Sequence, residues 1–491
     1  MPAYFLEIAV VALGILLLMV EAFSNNADRS QVAWGAVTGL AIIFITSFFV
    51  QVPANQTGPF WSFYTADGLA IFYKQIALLA TILVTIISVA YIPILQKYTG
   101  HAKDPSSALG EYFSLPVFAC AGLMWMASAN DLISMFVALE LTTMTFYVLV
   151  AYMRHNVGSL EAGVKYLILG ALSTGFLVYG ITWIFGLTGK TNFADIAAVL
   201  ETGAVNNTAL LFAIALLLVG LGFKVGAVPF QIWIPDVYQG APTPTTAFLS
   251  VGSKAAGFIV LIRVLEPFLT TPAIQSKILI ILTIIAAATI LYGNLGAIPQ
   301  SNAKRLLAFS SISHAGFALM ALACWTTATP DSNTLPSTLT VSFYLATYLF
   351  MTMLCFLVFV VVRSHDPDGP EDLSAFDGLS KRSPFLAFAL LIGLVGLAGI
   401  PLTAGFFGKF FVFFLAIEQQ QFILLAVAII GAAAGFYYYL KIIRSMYWND
   451  PADPSPIPIP LSAKVTTTLL VAAVIIFGIY PTPILNLLGA N

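Results

Sequence analysis

The sequence predicts an all-α, polytopic integral membrane protein with about fourteen transmembrane helices. Three observations support this fold class: composition, recurring apolar runs and an uneven distribution of basic residues among the loops. Of the 491 residues, 59% are hydrophobic and only 9% are charged, and the mean hydropathy is +0.95. A soluble domain carries about 25% charged residues. This chain therefore has too few charges to cover a globular surface in water.

A membrane-spanning helix needs roughly 20 predominantly apolar residues. The first such run, 4–23, has no basic segment before it and no small-residue cleavage site after it, so we expect a retained span. Two runs exceed a simple span: 384–417 is predicted to hold a broken helix, and 67–95 to be tilted or to extend past the membrane. The fourteen predicted spans are 4–23, 32–51, 67–95, 112–129, 131–153, 162–187, 208–231, 245–268, 277–297, 306–325, 338–363, 384–417, 421–446 and 463–488.

Lysine and arginine concentrate in the loops of one side. With fourteen spans, twelve of the 20 basic residues fall on the side that holds the loop between the first two spans, three fall on the other side, and five lie within spans. Basic residues favour cytoplasmic loops. The sequence therefore predicts that both termini lie on the outer side. The longest polar loop, 363–384, is too short to house a nucleotide or flavin site.

The three cysteines, Cys120, Cys324 and Cys355, are far apart and lie in apolar runs. They form no CxxC motif and no cluster with histidine, so the sequence contains no recognisable zinc, haem or iron–sulfur motif. We expect them to be buried small side chains. The net charge of −2 gives no indication of a nucleic-acid partner.

Four charged residues are predicted near the middle of different spans: Glu140, Lys224, Lys254 and Lys409. Each charge at the centre of a membrane helix costs roughly 2.5–3.5 kcal/mol on insertion scales. A scaffold has little reason to bear that cost four times. Intramembrane ionisable groups usually mark ion or proton pathways, so these four are candidate proton-relay residues.

Glu140 and Lys224 are predicted to pair across two helices. Opposite charges 4 Å apart interact by about 4 kcal/mol at an effective dielectric of about 20, so a change in their separation would alter how tightly the lysine holds its proton. Pro229 follows Lys224 and cannot donate a hydrogen bond to the carbonyl of Val225. We expect Pro229 and the flanking glycines to open the helix there, beside the ammonium. A packing clamp is the alternative interpretation of the pair.

Two further residues are candidates for the relay. His314 lies within an apolar span among three serines, and the usual pKa of histidine suits proton transfer; a structural core histidine is the alternative. Lys165 lies four residues after Glu161, a spacing that places both on one helix face; a membrane-edge anchor is the alternative. Three other charged residues in apolar runs, Glu7, Glu21 and Lys74, are expected to be interfacial or structural.

The chain resembles the antiporter-like membrane subunits of respiratory complex I and the related Mrp-type cation/proton antiporters. The resemblance rests on five stretches across about residues 110–450, of which the third is the most specific. They are "NDLISMFVALELTTMTFYVLVAY", "EAGVKYLILGALSTGFLVYGITWIFGLTG", "GLGFKVGAVPFQIWIPDVYQGAPTPTTAFLSVGSKAAGF", "NAKRLLAFSSISHAGF" and "GIPLTAGFFGKF".

The resemblance implies two five-helix repeats of inverted topology, each with a discontinuous helix. The expected divisions are an N-terminal three-helix segment (1–110), a first repeat (111–268), a second repeat (269–446) and a C-terminal connector with the last helix (447–491). By resemblance, Glu140 and Lys224 form the pair of the first half-channel, Lys254 links the halves, and Lys409 ends the second half-channel. His314 and Lys165 match as further relay members.

The resemblance also implies a proton-translocating subunit of a membrane NADH–quinone oxidoreductase, which makes the chain part of an enzyme without a redox site of its own. NADH, FMN, iron–sulfur clusters and quinone are then expected in partner subunits, with no cofactor or metal in this chain. Neighbouring antiporter-like and small membrane subunits are the expected partners, in the inner (plasma) membrane. A stand-alone Mrp-type antiporter subunit and a non-conducting scaffold are the alternatives.

Overall fold

The computed structural model describes residues 2–23, 29–53, 56–100, 109–327, 335–369 and 371–489. Within these ranges the chain is helical and contains no β-strand. Thirteen of the described helices are long and apolar enough to cross a membrane. The remaining predicted span, 384–417, is formed by two shorter helices, so the predicted fold class and the predicted break within that run are confirmed.

The described residues of the first half form eleven helices, of which α3, α5, α9 and α11 are short. Asparagine or aspartate side chains cap the N-termini of several of them, as where Asp131 accepts hydrogen bonds from the first turn of α7. The helices are α1 (Tyr4–Phe23), α2 (Ser30–Ser47), α3 (Pro59–Phe63), α4 (Gly68–Ala90), α5 (Ile92–Thr99), α6 (Leu109–Ser128), α7 (Leu132–Val150), α8 (Val157–Thr188), α9 (Phe193–Glu201), α10 (Asn207–Val225) and α11 (Ile234–Gly240).

The second half begins with one continuous span made of α12, a π-helical turn and α13. A short 3₁₀ turn, Leu373–Phe376, precedes α17. The elements are α12 (Thr243–Phe248), the π-helical turn (Leu249–Ser253), α13 (Lys254–Leu269), α14 (Pro272–Ala297), α15 (Ala303–Ala323), α16 (Ser337–His365), α17 (Leu379–Arg382), α18 (Pro384–Ala398), α19 (Ala404–Glu418), α20 (Phe422–Trp448), α21 (Leu461–Ile479) and α22 (Thr482–Leu487).

Helices α13, α15 and α16 form the interior of the molecule, since nearly all of their residues are buried. Helix α15 packs against α14, α16, α11, α19 and α20, whereas α13 packs against α4, α6, α10, α14 and α16. Helices such as α1 and α8 bury only a narrow stripe and expose apolar side chains outward. Apolar exposure of this kind suits contact with lipid or with other membrane helices.

Two spans are broken, and both breaks begin at a glycine. Helix α10 ends at Gly226 (φ +82°) and the chain turns before α11, whereas α18 ends at Gly399 (φ +85°) and the chain turns before α19. Glycine takes this left-handed conformation without steric cost and is the usual residue just past a helix end. The first break therefore begins at one of the glycines that flank Lys224, and Pro229 lies three residues later in the turn.

Close packing at the second break depends on Gly405. A Cβ atom on Gly405 would lie 1.9 Å from the carbonyl oxygen of Gly396, so the first turn of α19 rests directly on the end of α18. We expect Gly405→Ala to destabilise the purified chain by about 1–3 kcal/mol, the usual cost of overpacking. Thermal unfolding in detergent would measure this change.

Gly175→Ala is the matched control, because a Cβ atom at Gly175 would meet no atom within 4 Å on the exposed face of α8. Alanine is the better helix former there by roughly 0.5–1 kcal/mol, so the unfolding temperature should stay constant or rise slightly. Equal unfolding temperatures for the two variants would contradict the packing at the break.

Candidate functional site

Lys224 lies in the last turn of α10, at the first helix break, and only 8% of its surface is exposed. Its ammonium donates a hydrogen bond to Thr143 Oγ1 of α7, at 2.5 Å. Gly257 of α13 packs against the Lys224 backbone and Cβ. The C-terminal end of a helix carries partial negative charge. The break therefore places the ammonium where its charge is stabilised.

Glu140 lies on α7, three residues before Thr143, and is partly buried. Thr174 of α8 donates a hydrogen bond to the Glu140 carboxylate at 2.9 Å. Among the described residues, Glu140 and Lys224 do not form a direct ion pair, so the close separation considered in the sequence analysis is not observed in this structure. The two groups are instead connected along one face of α7, where residues three apart are neighbours.

Lys254 begins α13 directly after the π-helical turn and is 2% exposed. Its ammonium donates to both the main-chain carbonyl and the hydroxyl of Ser311, in the middle of α15. It also lies 5.4 Å from the centre of the Tyr348 ring. π-Bulges are frequent at functional sites. Here the irregular turn lies immediately before a lysine that contacts the most deeply buried helix.

His314 lies one turn after Ser311 on α15 and is 4% exposed. Its Nδ1 atom is 2.6 Å from the hydroxyl of Tyr344, and its Nε2 atom is 3.3 Å from the hydroxyl of Tyr439. The Tyr439 hydroxyl in turn bonds to Ser310. Both ring nitrogens of the imidazole therefore have partners that can donate or accept a proton.

Lys409 lies on α19 but reaches back to the end of α18, across the second helix break. Its ammonium donates to the main-chain carbonyls of Leu397 and Ala398, at 3.1 and 2.8 Å. The last carbonyls of a helix lack partners within the helix. The Lys409 ammonium donates hydrogen bonds to two of these carbonyls. The partial negative charge at the end of α18 stabilises the cation. Lys409 also lies 5.2 Å from the centre of the Phe317 ring.

The buried groups share one supporting helix. Ser311, His314 and Phe317 are three residues apart on α15, and spacing of three or four places residues on one helix face. Along this face α15 contacts Lys254 through Ser311 and Lys409 through Phe317. The structure thus places Lys254, His314 and Lys409 in sequence along α15, with Lys224 next to α13 at one end.

Lys165 occupies a different environment. It pairs with Glu161 on its own helix and with Asp236 on α11, both at 2.8 Å, and its side chain is 42% exposed. Arg305 binds the other oxygen of Asp236 at 2.6 Å. Burial opposes ionisation of Asp236, but the hydrogen bonds from these two cations hold its pKa below the ordinary value. The cluster borders a cavity of about 240 Å³.

The N-terminal helices contain a buried ion pair. Lys74 of α4 and Glu7 of α1 lie 2.8 Å apart, and the hydroxyl of Tyr64 bonds to both. Lys74 is fully buried. The pair joins two helices and the loop before α4, which agrees with the structural role expected for these residues.

Several partners in this site were not identified from the sequence. Thr143, Thr174, Tyr344 and Tyr439 are each bonded to a predicted residue but belong to ordinary apolar spans. Only the spacing of Thr143 from Glu140 was a usable signal, because residues three apart share a helix face. Among the described residues, no group of three or more histidine, cysteine, aspartate or glutamate side chains is arranged to hold a metal ion.

Comparisons with known proteins identify the family. Residues 129–434 match the family model described as "NADH:quinone oxidoreductase/Mrp antiporter, TM". The chain is 38% identical over 481 residues to NADH-quinone oxidoreductase subunit N of Heliobacterium modesticaldum, covering 97% of this chain and 96% of that protein. It is 39% identical over 475 residues to NADH-quinone oxidoreductase subunit N 2 of Solibacter usitatus, covering 96% and 89% respectively.

Solved structures give the same result. A chain of respiratory complex I from Thermus thermophilus superposes with a TM-score of 0.80 at 28% identity, over 99% of this chain and 100% of that one. A chain of the Mrp complex from a Dietzia species shares the fold, with a TM-score of 0.82 at 20% identity over 99% and 96%. This protein therefore belongs to the NADH:quinone oxidoreductase/Mrp antiporter transmembrane family.

Proposed function

We propose that this chain is a proton-translocating membrane subunit of an NADH–quinone oxidoreductase. The observation that carries the proposal is the series of buried ionisable groups along α15, from Lys254 through His314 to Lys409, with Lys224 adjacent on α10. Ionisable groups inside a membrane protein are costly and usually functional. Full-length similarity to curated subunits N of this oxidoreductase supports the same conclusion.

The proposed relay starts at Lys224 and Glu140. Thr143, which accepts the hydrogen bond from Lys224, lies three residues after Glu140 on α7. The two charges are therefore near enough to interact through space. Any displacement of α7 against α10 would change this interaction, which at an effective dielectric of about 20 falls below roughly 4 kcal/mol beyond 4 Å. Such a displacement, driven by quinone reduction in a partner subunit, would load or unload a proton at Lys224.

The next steps follow the contacts between helices. Gly257, against which Lys224 packs, lies three residues after Lys254 on α13. Lys254 is bonded to Ser311, and His314 lies one turn further along α15 with tyrosine hydroxyls at both nitrogens. Hydroxyl groups both donate and accept, so they can pass a proton by exchanging hydrogen-bond partners. Lys409 would then receive the proton and release it.

We place the entry of protons near Lys165. Its cluster with Asp236 and Arg305 borders the 240 Å³ cavity, on the side where the basic loops concentrate. Basic loops favour the cytoplasm, so this side would face the cell interior and both termini would face outward in the plasma membrane. We also propose that residues 111–268 and 269–446 form the two inverted repeats, each with one of the two broken spans.

Partner subunits would supply the redox chemistry. In this proposal NADH, FMN, iron–sulfur clusters and quinone are bound elsewhere in the complex, and this chain contacts neighbouring antiporter-like and small membrane subunits. The shared fold of the Mrp complex chain makes a stand-alone cation/proton antiporter the second candidate. Purification of the native chain separates the two, because co-purification with NADH-oxidising subunits is expected only for the oxidoreductase.

Lys224→Ala tests the proposed function. Loss of the ammonium should lower NADH-driven proton pumping in inverted membrane vesicles by at least about tenfold, equivalent to 1.4 kcal/mol, while the complex remains assembled. Lys277→Ala is the control, because Lys277 is exposed near the start of α14, and it should pump normally. Unchanged pumping by an assembled Lys224→Ala complex would refute the assignment of Lys224 to the relay.

Replacement of Thr143 tests the acceptor of the Lys224 ammonium. Thr143→Val preserves shape but removes the hydroxyl, and a hydrogen bond to a charged group contributes about 1.5–3 kcal/mol. The protonated form of Lys224 should become less populated, so pumping should slow by roughly tenfold or more. Thr143→Ser restores the hydroxyl and should recover most of the rate. Equal rates for the valine and serine variants would show that this hydrogen bond has no role.

A further inference from the structure

His314 and Lys409 share no hydrogen-bond partner among the described residues. The described hydrogen bonds of the imidazole go to Tyr344 and Tyr439, whereas those of the ammonium go to the carbonyls of Leu397 and Ala398. The side chain in contact with both is Phe317, whose ring centre is 6.3 Å from that of His314 and 5.2 Å from Lys409 Nζ. A benzene ring cannot carry a proton between them.

Phe317 is held firmly in this position. It is 1% exposed, it lies one turn after His314 on α15, and its ring packs against Tyr344 and Phe413, with centres 6.4 and 6.0 Å away. The ammonium of Lys409 near the ring adds a cation–π attraction. A protonated Lys409 therefore holds the ring in place, and a neutral Lys409 releases that attraction.

We propose that Phe317 is the gate between the central part of the relay and its terminal lysine. In the closed position observed here, the ring contacts both His314 and Lys409, and no hydrogen bond among the described residues joins the two groups. Transfer requires the ring to move aside so that water or a hydroxyl can connect the two groups. Because the cation–π attraction exists only while Lys409 is charged, the gate is held closed after loading and is freed on release. This inference rests on the proposed function and adds a positioning residue to it.

The gate gives the relay a directional element. A permanent hydrogen-bonded path from Lys254 to Lys409 would let protons flow back down the gradient between turnovers. The same ring that must move during pumping would prevent this return flow at rest. A side chain in this position should therefore be large and apolar, as Phe317 is.

Phe317→Ala in the assembled holoenzyme tests the proposal. Removing the ring leaves space next to the Lys409 ammonium and the rings of His314 and Tyr344, and a cavity of sufficient size with polar groups at its edge holds water. We expect an imposed pH gradient across proteoliposomes to collapse several-fold faster than with wild type when no NADH is present. During NADH oxidation, fewer protons should accumulate per electron.

Two further variants keep the test decisive. Phe317→Leu retains an apolar side chain and should keep the gradient as well as wild type does. The double variant Phe317→Ala with Lys409→Ala should be proton-tight again, because the leak passes through Lys409; general damage to packing would leave it leaky. If Phe317→Ala fails to assemble, the near-isosteric Phe317→Tyr, which adds a hydroxyl, takes its place and should also leak.

An assembled Phe317→Ala or Phe317→Tyr complex that holds the gradient as tightly as Phe317→Leu would overturn the gate. A leak that persists without Lys409 would overturn it as well. Both results are distinguishable from failure of the proposed function, which would appear as normal pumping in Lys224→Ala. Loss of pumping in Lys224→Ala together with a tight Phe317→Ala complex would leave the relay in place without this gate.

Discussion

The need to give each buried ammonium an oxygen acceptor constrains this entire structure. A regular α-helix uses its own carbonyls, and an apolar side chain offers none, so an uninterrupted apolar bundle has few acceptors for a lysine. Lys224 ends the broken helix α10 and bonds to the Thr143 hydroxyl, whereas the ammonium of Lys409 bonds to the last carbonyls of α18. Lys254 follows a π-helical turn and bonds to Ser311. Side-chain hydroxyls on neighbouring helices and the carbonyls of one broken helix end therefore supply acceptors for these buried ammonium groups.

Helix α15 turns these separate sites into a series. Its regular geometry spaces Ser311, His314 and Phe317 by three residues each, and neighbouring helices bring Lys254 and Lys409 to that face. The helix is buried along its whole length, which keeps bulk water away from the series. The regular, buried helix α15 holds the series in line, whereas the lysines around it lie beside irregular backbone at the end of α10, the π-helical turn and the end of α18.

The fold was predictable from sequence because membrane spans are long apolar runs whose length the bilayer fixes. The break within 384–417 was also predictable, since the run was too long for one simple span. The first break was predicted from Pro229 and the flanking glycines. The helix ends at Gly226, one of those glycines, and Pro229 lies in the turn that follows. The division of the chain at 110, 268 and 446 stays a prediction.

The candidate relay was predictable only in its charged members. Charges in apolar spans stand out in a sequence, whereas Tyr344, Tyr439 and Phe317 resemble any other aromatic residues of a core. Their relevance arises from contacts between helices distant in sequence, such as α15 with α16 and α20. The separation of Glu140 from Lys224 depends on the relative positions of α7 and α10, which periodicity does not determine. The relay roles of all six predicted residues stay predictions.

The central claim is that a buried line of titratable groups conducts protons, and Lys254 tests it most directly because its ammonium contacts Ser311 and lies between the two helix breaks. The decisive measurement is the number of protons pumped per electron by an assembled complex carrying Lys254→Met, an apolar side chain of similar length. We predict a lower proton-to-electron ratio, with the NADH-oxidising activity of the partner subunits retained when an artificial electron acceptor replaces quinone. An unchanged ratio would contradict the account.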